Sequence, residues 1–235
     1  MPSLYQRVRH KLLPHYLRLR APSDERDDLV FVGSDYGGRH LPRELLGADS
    51  VCYCVGVGEE TSFDEDLIRT FGCDVYAFDP TPRAIEHVAR LRQERPELAG
   101  RFHFEPAAIW DRDGETDFFA PENEGHVSHS LTGLNGRGRS IKVRTRTLST
   151  LMADRGHDRL DLLKLDVEGA EYAVVDHVLK DAEGGGVLPR VLCIEFDQPV
   201  PAKRTIGLMR RLAGVGYATV ANNHLDFTFV RAGDG

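Results

Sequence analysis

The stretch that most constrains the fold runs from residue 160 to 171 and reads LDLLKLDVEGAE. Its first half is an apolar run interrupted only by Asp161 and Lys164, and it has the length and composition of a central strand in a parallel sheet. Gly169 permits a tight turn, after which apolar residues recur with helical spacing. A strand that turns directly into a helix indicates an α/β sheet, in which ligands bind beyond the carboxyl ends of the strands.

The same alternation of strand and helix continues on both sides of this stretch. Strands are predicted at 51–55, 75–78, 102–104, 160–165, 191–197, 217–220 and 227–230, with shorter β segments at 116–119 and 141–147. The last two strands have no long helix between them, which predicts an antiparallel hairpin at the C-terminus. The predicted fold is therefore an α/β, doubly wound, mostly parallel seven-stranded sheet with right-handed crossovers and an antiparallel C-terminal hairpin.

Composition excludes several classes of protein. The net charge of −7 argues against general nucleic-acid binding, which depends on neutralising phosphates. No apolar run approaches the roughly 20 residues of a membrane-spanning helix, and the N-terminus lacks the apolar core of a secretory signal. The four cysteines form no C-x-x-C pair, and Cys52, Cys54 and Cys193 lie in predicted strands as small hydrophobic residues. We therefore expect a cytoplasmic protein without a metal–thiolate site.

We predict two regions: residues 1–45 as a basic helical extension and connector, and residues 46–235 as the main domain. Residues 1–20 contain no acid and show a rough apolar stripe with helical spacing. This helix is expected to pack on its own domain or on a second subunit, which would form a homodimer. The alternative is a helix that docks on a membrane surface or a partner. The turn-rich segment 35–39 either lines the site or only connects elements.

Two glycines and an acid predict a cofactor site at the ends of the first two strands of the main domain. Gly56 and Gly58 follow the first strand and allow a ligand to approach the backbone. Asp79 ends the second strand roughly 20 residues further on, where an acid can accept hydrogen bonds from ribose hydroxyls. An adenosine-containing cofactor is therefore expected, and Ala108, after the third strand, is placed to flank the adenine.

Charge discriminates between the possible cofactors. Five acids follow the glycine turn, namely Glu59, Glu60, Asp64, Glu65 and Asp66. A dinucleotide would place its pyrophosphate at this helix N-terminus, where these carboxylates would repel it. S-adenosylmethionine carries a sulfonium and an ammonium and no phosphate, so the acidic turn favours it. Glu59 is the acid that we expect to contact this ligand, whereas Glu65 and Asp66 complement the helix dipole.

Three segments carry a resemblance to a known family: VYAFDPTP at 75–82, RTRTL at 144–148 and DLLKLDVEGAE at 161–171. On these segments the chain resembles the FkbM family of methyltransferases. The resemblance implies a class I methyltransferase fold and O-methyl transfer to a hydroxyl of a small molecule or a carbohydrate. The chain departs from the usual pattern at Cys54, Glu60 and Ser149, where an acid, a glycine and an aspartate are common.

An aliphatic hydroxyl is a weak nucleophile at neutral pH, so its methylation needs a base or a metal ion. Four acids, Asp166, Glu168, Glu195 and Asp197, follow two strands that are expected to be neighbours. Such oxygen ligands suit Mg²⁺ better than Zn²⁺. We hypothesise that Asp166 and Glu195 hold Mg²⁺ or orient the acceptor, with Glu168 as a second ligand or the base. The alternative is that some of these acids only cap helices.

The polar, glycine-rich loop at 121–139 supplies two other candidate bases, His126 and His129. Taken singly, either histidine is better explained as a surface residue without a role. The loop also carries asparagine and arginine residues that would suit a carbohydrate acceptor.

Three rival functions stay open on sequence grounds. The first is an NAD-dependent oxidoreductase, against which the acidic turn argues. The second is a nucleic-acid amino-methyltransferase, which would carry a motif of the D/N-P-P-Y type where this chain has Asp166-Val167-Glu168-Gly169. The third is a non-catalytic module that binds S-adenosylmethionine, for which the departures at Cys54 and Glu60 leave room. Binding of S-adenosylhomocysteine distinguishes a methyltransferase from an oxidoreductase, and turnover distinguishes it from a non-catalytic binding module.

Overall fold

A computed structural model describes residues 13–19, 23–119, 140–167, 169–196 and 200–233. The helices are 13–19 (α1), Ser62–Phe71 (α2), Pro82–Glu94 (α3), Leu148–Arg155 (α4), Glu171–Glu183 (α5) and Ala202–Gly214 (α6). The strands are Leu29–Val32 (β1), Arg39–Pro42 (β2), Val51–Val55 (β3), Asp74–Phe78 (β4), Phe102–Glu105 (β5), Ala108–Ile109 (β6), Gly114–Phe119 (β7), Ser140–Arg146 (β8), Leu162–Leu165 (β9), Val191–Glu195 (β10), Tyr217–Asn223 (β11) and Asp226–Arg231 (β12).

The main sheet has seven strands in the order β11-β12-β10-β9-β3-β4-β5. β3 pairs in parallel with both β4 and β9, and the pairing extends in parallel to β5 on one side and β10 on the other. β12 lies between β10 and β11 and is antiparallel to both. This arrangement confirms the predicted doubly wound sheet with an antiparallel C-terminal hairpin.

The core lies on both faces of this sheet because successive side chains of a strand point to opposite faces. Tyr53 and Val55 of β3 join one buried cluster, whereas Cys52 and Cys54 join the cluster on the other face. All four cysteines are free and buried, as small hydrophobic residues are expected to be.

Two smaller sheets flank the main one. β7 pairs antiparallel with β8, and β6 adds to the other edge of β8. β1 and β2 form an antiparallel hairpin that contacts α2, β11 and β12. The sequence predicts β segments near 116–119 and 141–147, but it gives no sign of the β1–β2 hairpin.

The N-terminal helix α1 packs on its own domain, as one of the two sequence interpretations requires. Leu13 and Leu17 are buried in the same cluster as α5 and α6. The predicted boundary at residue 45 and the predicted homodimer stay predictions. In the part of the chain that the structure describes, no helix has the length and apolar character needed to cross a membrane.

Candidate active site

A cavity of about 360 Å³ opens at the carboxyl ends of β3, β4 and β9. This volume lies within the range of small-molecule sites, roughly 300–1,000 Å³. The walls comprise residues 36–37, 55–60, 63, 78–81, 83, 108–109, 118, 164 and 166–167. All five predicted cofactor residues, Gly56, Gly58, Glu59, Asp79 and Ala108, lie on this one cavity together with Asp166.

The two glycines of the β3–α2 turn have different roles. Gly56 has φ +87°, and a Cβ added to it would lie 2.8 Å from the carbonyl carbon of Asp166 and closer still to the carbonyl oxygen. Gly56 therefore allows the chain after β3 to pass against the chain after β9. Gly58 has φ +56°, and nothing lies within 4 Å of a Cβ built there. The space beside Gly58 is open, as a ligand that approaches the backbone requires.

Asp79 is fixed by three hydrogen bonds. Its Oδ2 accepts from the Gly58 amide (2.9 Å), and its Oδ1 accepts from the amide (2.8 Å) and the hydroxyl (2.6 Å) of Thr81. Thr81 in turn caps α3 by accepting from the Ala84 amide at 3.3 Å. A carboxylate has about four acceptor positions, so one remains for a ligand hydroxyl.

The five acids of the turn separate into two groups. Glu59 and Glu60 line the cavity, whereas Asp64 is buried, with an exposed fraction of 4%, and does not line it. Glu65 pairs with Arg95 at 2.9 Å, and Asp66 accepts from the Gly33 amide at 3.1 Å. Only two of the five acids therefore contribute directly to the charge of the cavity.

The cavity is acidic overall. Its lining includes four carboxylates, Glu59, Glu60, Asp79 and Asp166, and two cationic side chains, Arg83 and Lys164. Glu59 lies 3.6 Å from Arg83, and both side chains are about half exposed. The acidic balance supports the exclusion of a polyphosphate ligand.

Lys164 and Asp166 form an ion pair on the wall of the cavity. Lys164 is 6% exposed, and its Nζ donates to Asp166 Oδ2 at 3.2 Å. Burial lowers the pKa of Lys164, but nearby groups, Asp166 foremost, raise it, and the net pKa lies above its ordinary value, so the side chain is a cation. Sequence reasoning treated Lys164 only as an interruption of a strand. The sequence signal for the pair was the spacing of Lys164 and Asp166, because residues two apart on a strand lie on the same face.

Glu195 has a different environment from the one predicted for a metal ligand. Arg39, which is 3% exposed, places its Nη2 at 2.8 Å from both Glu195 Oε2 and Asp226 Oδ1. Burial, together with Asp166 and Asp226, raises the pKa of Glu195 to about 8 although Arg39 lowers it. Glu195 lies outside the lining of the cavity.

The predicted Mg²⁺ site at Asp166, Glu195 and Glu168 is therefore not supported. Lys164 already pairs with Asp166, and Glu195 contacts Arg39 and has a pKa of about 8, which keeps it largely protonated at neutral pH. Among the described residues, no group of three or more histidine, cysteine, aspartate or glutamate side chains is arranged to hold a metal. Glu168, Asp197 and the histidines His126 and His129 lie outside the described residues, so the roles predicted for them stay predictions.

The order of the strands, the glycine turn after β3 and the acid after β4 define the class of protein: a class I methyltransferase fold. The sequence model of the methyltransferase FkbM domain family matches residues 50–218, which is more than half of the chain. The chain therefore belongs to the FkbM methyltransferase family, as its sequence motifs suggested.

Two curated proteins similar to this chain carry methyltransferase or methyltransferase-like in their names. It is 27% identical over 151 residues to the 2-O-methyltransferase NoeI of Sinorhizobium fredii, covering 58% of this chain and 60% of NoeI. It is 23% identical over 151 residues to the probable methyltransferase-like protein 24 of Rattus norvegicus, covering 64% of this chain and 33% of that protein. The chain thus matches less than two thirds of the length of either relative.

The crystal structure of methyltransferase FkbM from Methylobacillus flagellatus shares the fold. The TM-score is 0.50 at 12% sequence identity, and the superposition covers 93% of this chain and 50% of that chain. At this level of identity the similarity concerns the fold alone.

Proposed function

We propose that this protein is an S-adenosylmethionine-dependent O-methyltransferase that acts on a hydroxyl of a small molecule or a carbohydrate. The observation that carries the proposal is the acidic cavity at the carboxyl ends of β3, β4 and β9, in a chain of the FkbM family. A cationic methyl donor suits this charge, whereas a dinucleotide would bring its pyrophosphate against Glu59 and Glu60.

The residues of the cavity fit such a cofactor. The open space beside Gly58 leaves room for a ligand, and Asp79 keeps one acceptor position for a ribose hydroxyl. Ala108 supplies apolar surface for the adenine, and Glu59 supplies a carboxylate for the cationic methionine moiety. When bound, S-adenosylmethionine supplies an electrophilic methyl group on its sulfonium.

We propose Asp166 as the residue that removes the acceptor proton. Transfer to an oxygen needs an aligned hydroxyl and a base near it. Asp166 lines the cavity, and the Lys164 ammonium holds Oδ2 of its carboxylate at 3.2 Å. Lys164 is then a positioning residue, because its ammonium fixes the orientation of the Asp166 carboxylate.

The nature of the acceptor is proposed from the family and from the polar loop at 121–139. NoeI is a 2-O-methyltransferase by name, which makes a hydroxyl group the first acceptor to test. No described residue argues for a metal-assisted step, and none is included in this mechanism.

Calorimetry with S-adenosylhomocysteine and with NAD tests the cofactor. We expect S-adenosylhomocysteine to bind in the micromolar range and NAD to give no heat at millimolar concentration. Asp79→Ala should abolish the first signal, whereas Asp117→Ala, a change at a carboxylate outside the cavity lining, should leave it unchanged. Binding of NAD in preference to S-adenosylhomocysteine would make the oxidoreductase the correct function.

Turnover separates an enzyme from a binding module. A panel of oligosaccharides and small hydroxylated compounds is incubated with protein and with donor labelled in its methyl group. We expect one acceptor class to gain label, with Asp166→Asn reducing the rate by about 100-fold or more because the general base is lost. If Asp166→Asn retained the full rate with that acceptor, Asp166 would not be the base.

A further inference from the structure

The turn between β1 and β2 forms part of the cavity although it lies outside the segment matched by the family model. Tyr36 and Gly37 line the cavity, and Tyr36 is 87% exposed. Gly37 lies against Glu60, since a Cβ on this glycine would come within 2.6 Å of Glu60 Oε2. The hairpin therefore brings a large aromatic ring to the mouth of the site.

One side of this turn is fixed to α2. The Ser34 hydroxyl accepts from the amides of Tyr36 (3.3 Å) and Gly37 (3.2 Å), and the Ser34 carbonyl accepts from Gly38 (2.7 Å). The Ser34 amide donates to Ser62 Oγ at 2.9 Å, at the first residue of α2. These bonds define the shape of the turn and dock it beside the cavity.

Arg39 fixes the other side of the turn to the far half of the main sheet. Its Nη1 donates to the Gly38 carbonyl at 3.0 Å, and its Nη2 lies 2.8 Å from both Glu195 and Asp226. Glu195 and Asp226 face each other as the last residue of β10 and the first residue of β12. One buried guanidinium thus joins the turn to two strand ends.

Charge makes this junction strong. Glu195 and Asp226 are adjacent carboxylates, and both also feel the charge of Asp166. Without the guanidinium the pKa of both acids would rise further, so they would take up protons, and the contacts that tie the turn to the two strand ends would be lost. Loss of Arg39 is therefore expected to release the turn and also to disturb the end of the sheet next to Asp166.

We propose that Arg39 is a positioning residue of the active site, which holds the turn 34–38, and with it the exposed Tyr36, beside the cofactor cavity. The identity of the ligand rests on the proposed function, whereas the mechanical role of Arg39 does not. In this arrangement the β1–β2 hairpin is a wall of the site rather than a connector.

The test compares Arg39→Gln and Arg39→Lys with Arg26→Gln. Arg26 pairs with Asp28 in the segment just before β1, far along the hairpin from the turn, so it is a control for general destabilisation of the same region. Hydrogen exchange is measured at the amides of Ser34 and Gly38, and S-adenosylhomocysteine affinity is measured by calorimetry. Arg39→Gln is expected to speed exchange at both amides by at least 10-fold and to weaken binding by at least 10-fold. Arg39→Lys, which keeps the positive charge, should change the exchange rates and the affinity less than Arg39→Gln does.

Arg26→Gln should change neither quantity, even if it lowers the unfolding temperature. Equal exchange and equal affinity in Arg39→Gln and Arg26→Gln would overturn the proposal. If Arg39→Gln does not fold, Tyr36→Ala is the deciding variant, because it removes the ring and leaves the ion pairs of Arg39 in place. Unchanged affinity for S-adenosylhomocysteine would overturn the proposal, and a loss of at least 5-fold would support it. If the unmodified protein ignores S-adenosylhomocysteine, the proposed function fails, and the exchange rates still judge the role of Arg39.

Discussion

Replacing Gly56 with alanine is expected to destabilise the fold far more than the same change at Gly58. A side chain at φ +87° costs about 1–2 kcal/mol by itself. The added Cβ would also press on the carbonyl of Asp166, and relief of that contact needs a shift of about 1.6 Å to reach an ordinary C···O separation of about 3.3 Å.

The two segments cannot separate freely. The Gly56 amide donates to the Phe78 carbonyl and the Asp166 amide donates to the Val55 carbonyl, each at 3.0 Å. Weakening both bonds adds about 2 kcal/mol. The total is about 3–4 kcal/mol, which lowers the unfolding temperature of a chain of this size by about 10 °C.

Gly58→Ala provides the matched control. A Cβ there meets nothing within 4 Å, so the cost is the backbone term of about 1 kcal/mol and a fall of about 3 °C. Differential scanning fluorimetry of both variants, with and without S-adenosylhomocysteine, makes the comparison. Equal unfolding temperatures for the two variants would refute the assignment of Gly56 to packing and Gly58 to the ligand.

Asp79, Lys164 and the buried Asp64 each allow a further test. Asp79→Ala removes three hydrogen bonds and leaves two amides without their acceptor, so the free energy of unfolding should fall by about 2–3 kcal/mol in thermal unfolding. A loss below about 0.5 kcal/mol, which is less than one net hydrogen bond, would contradict this expectation. Lys164→Met should slow methyl transfer by about 100-fold while the affinity for S-adenosylhomocysteine changes little, because the base loses its positioning partner. An equal loss of rate and of affinity would assign Lys164 to cofactor binding instead. Burial raises the pKa of Asp64 from 3.8 to about 6, which destabilises the folded state progressively as pH rises through the window between these values. Asp64→Asn should therefore raise the unfolding temperature, relative to the unmodified protein, more at pH 8 than at pH 4. Asp27→Asn, at an exposed aspartate, is the control, and a pH-independent effect of Asp64→Asn would be inconsistent with that pKa.

The sequence alone determined the sheet and placed the candidate cofactor residues at the strand ends where the cavity lies. Apolar runs predict the strands and the helical spacing of apolar residues predicts the helices, because both patterns depend on residues close together in the chain. The strand β9 followed by Asp166 and the strand β3 followed by Gly56 were predicted correctly for this reason. The methyltransferase family also followed from local motifs, and the family match over residues 50–218 confirmed it.

Only the tertiary structure decided the partners of the charged side chains. Arg39 and Glu195 are 156 residues apart in the chain, and no local pattern relates them. Their pairing depends on where the β1–β2 hairpin packs, and it makes a predicted magnesium ligand the hydrogen-bond partner of a buried guanidinium. The charge of Lys164 likewise became meaningful only when the fold buried it beside Asp166. The physical reason is that burial sets the cost of an isolated charge, and burial is a property of the folded chain.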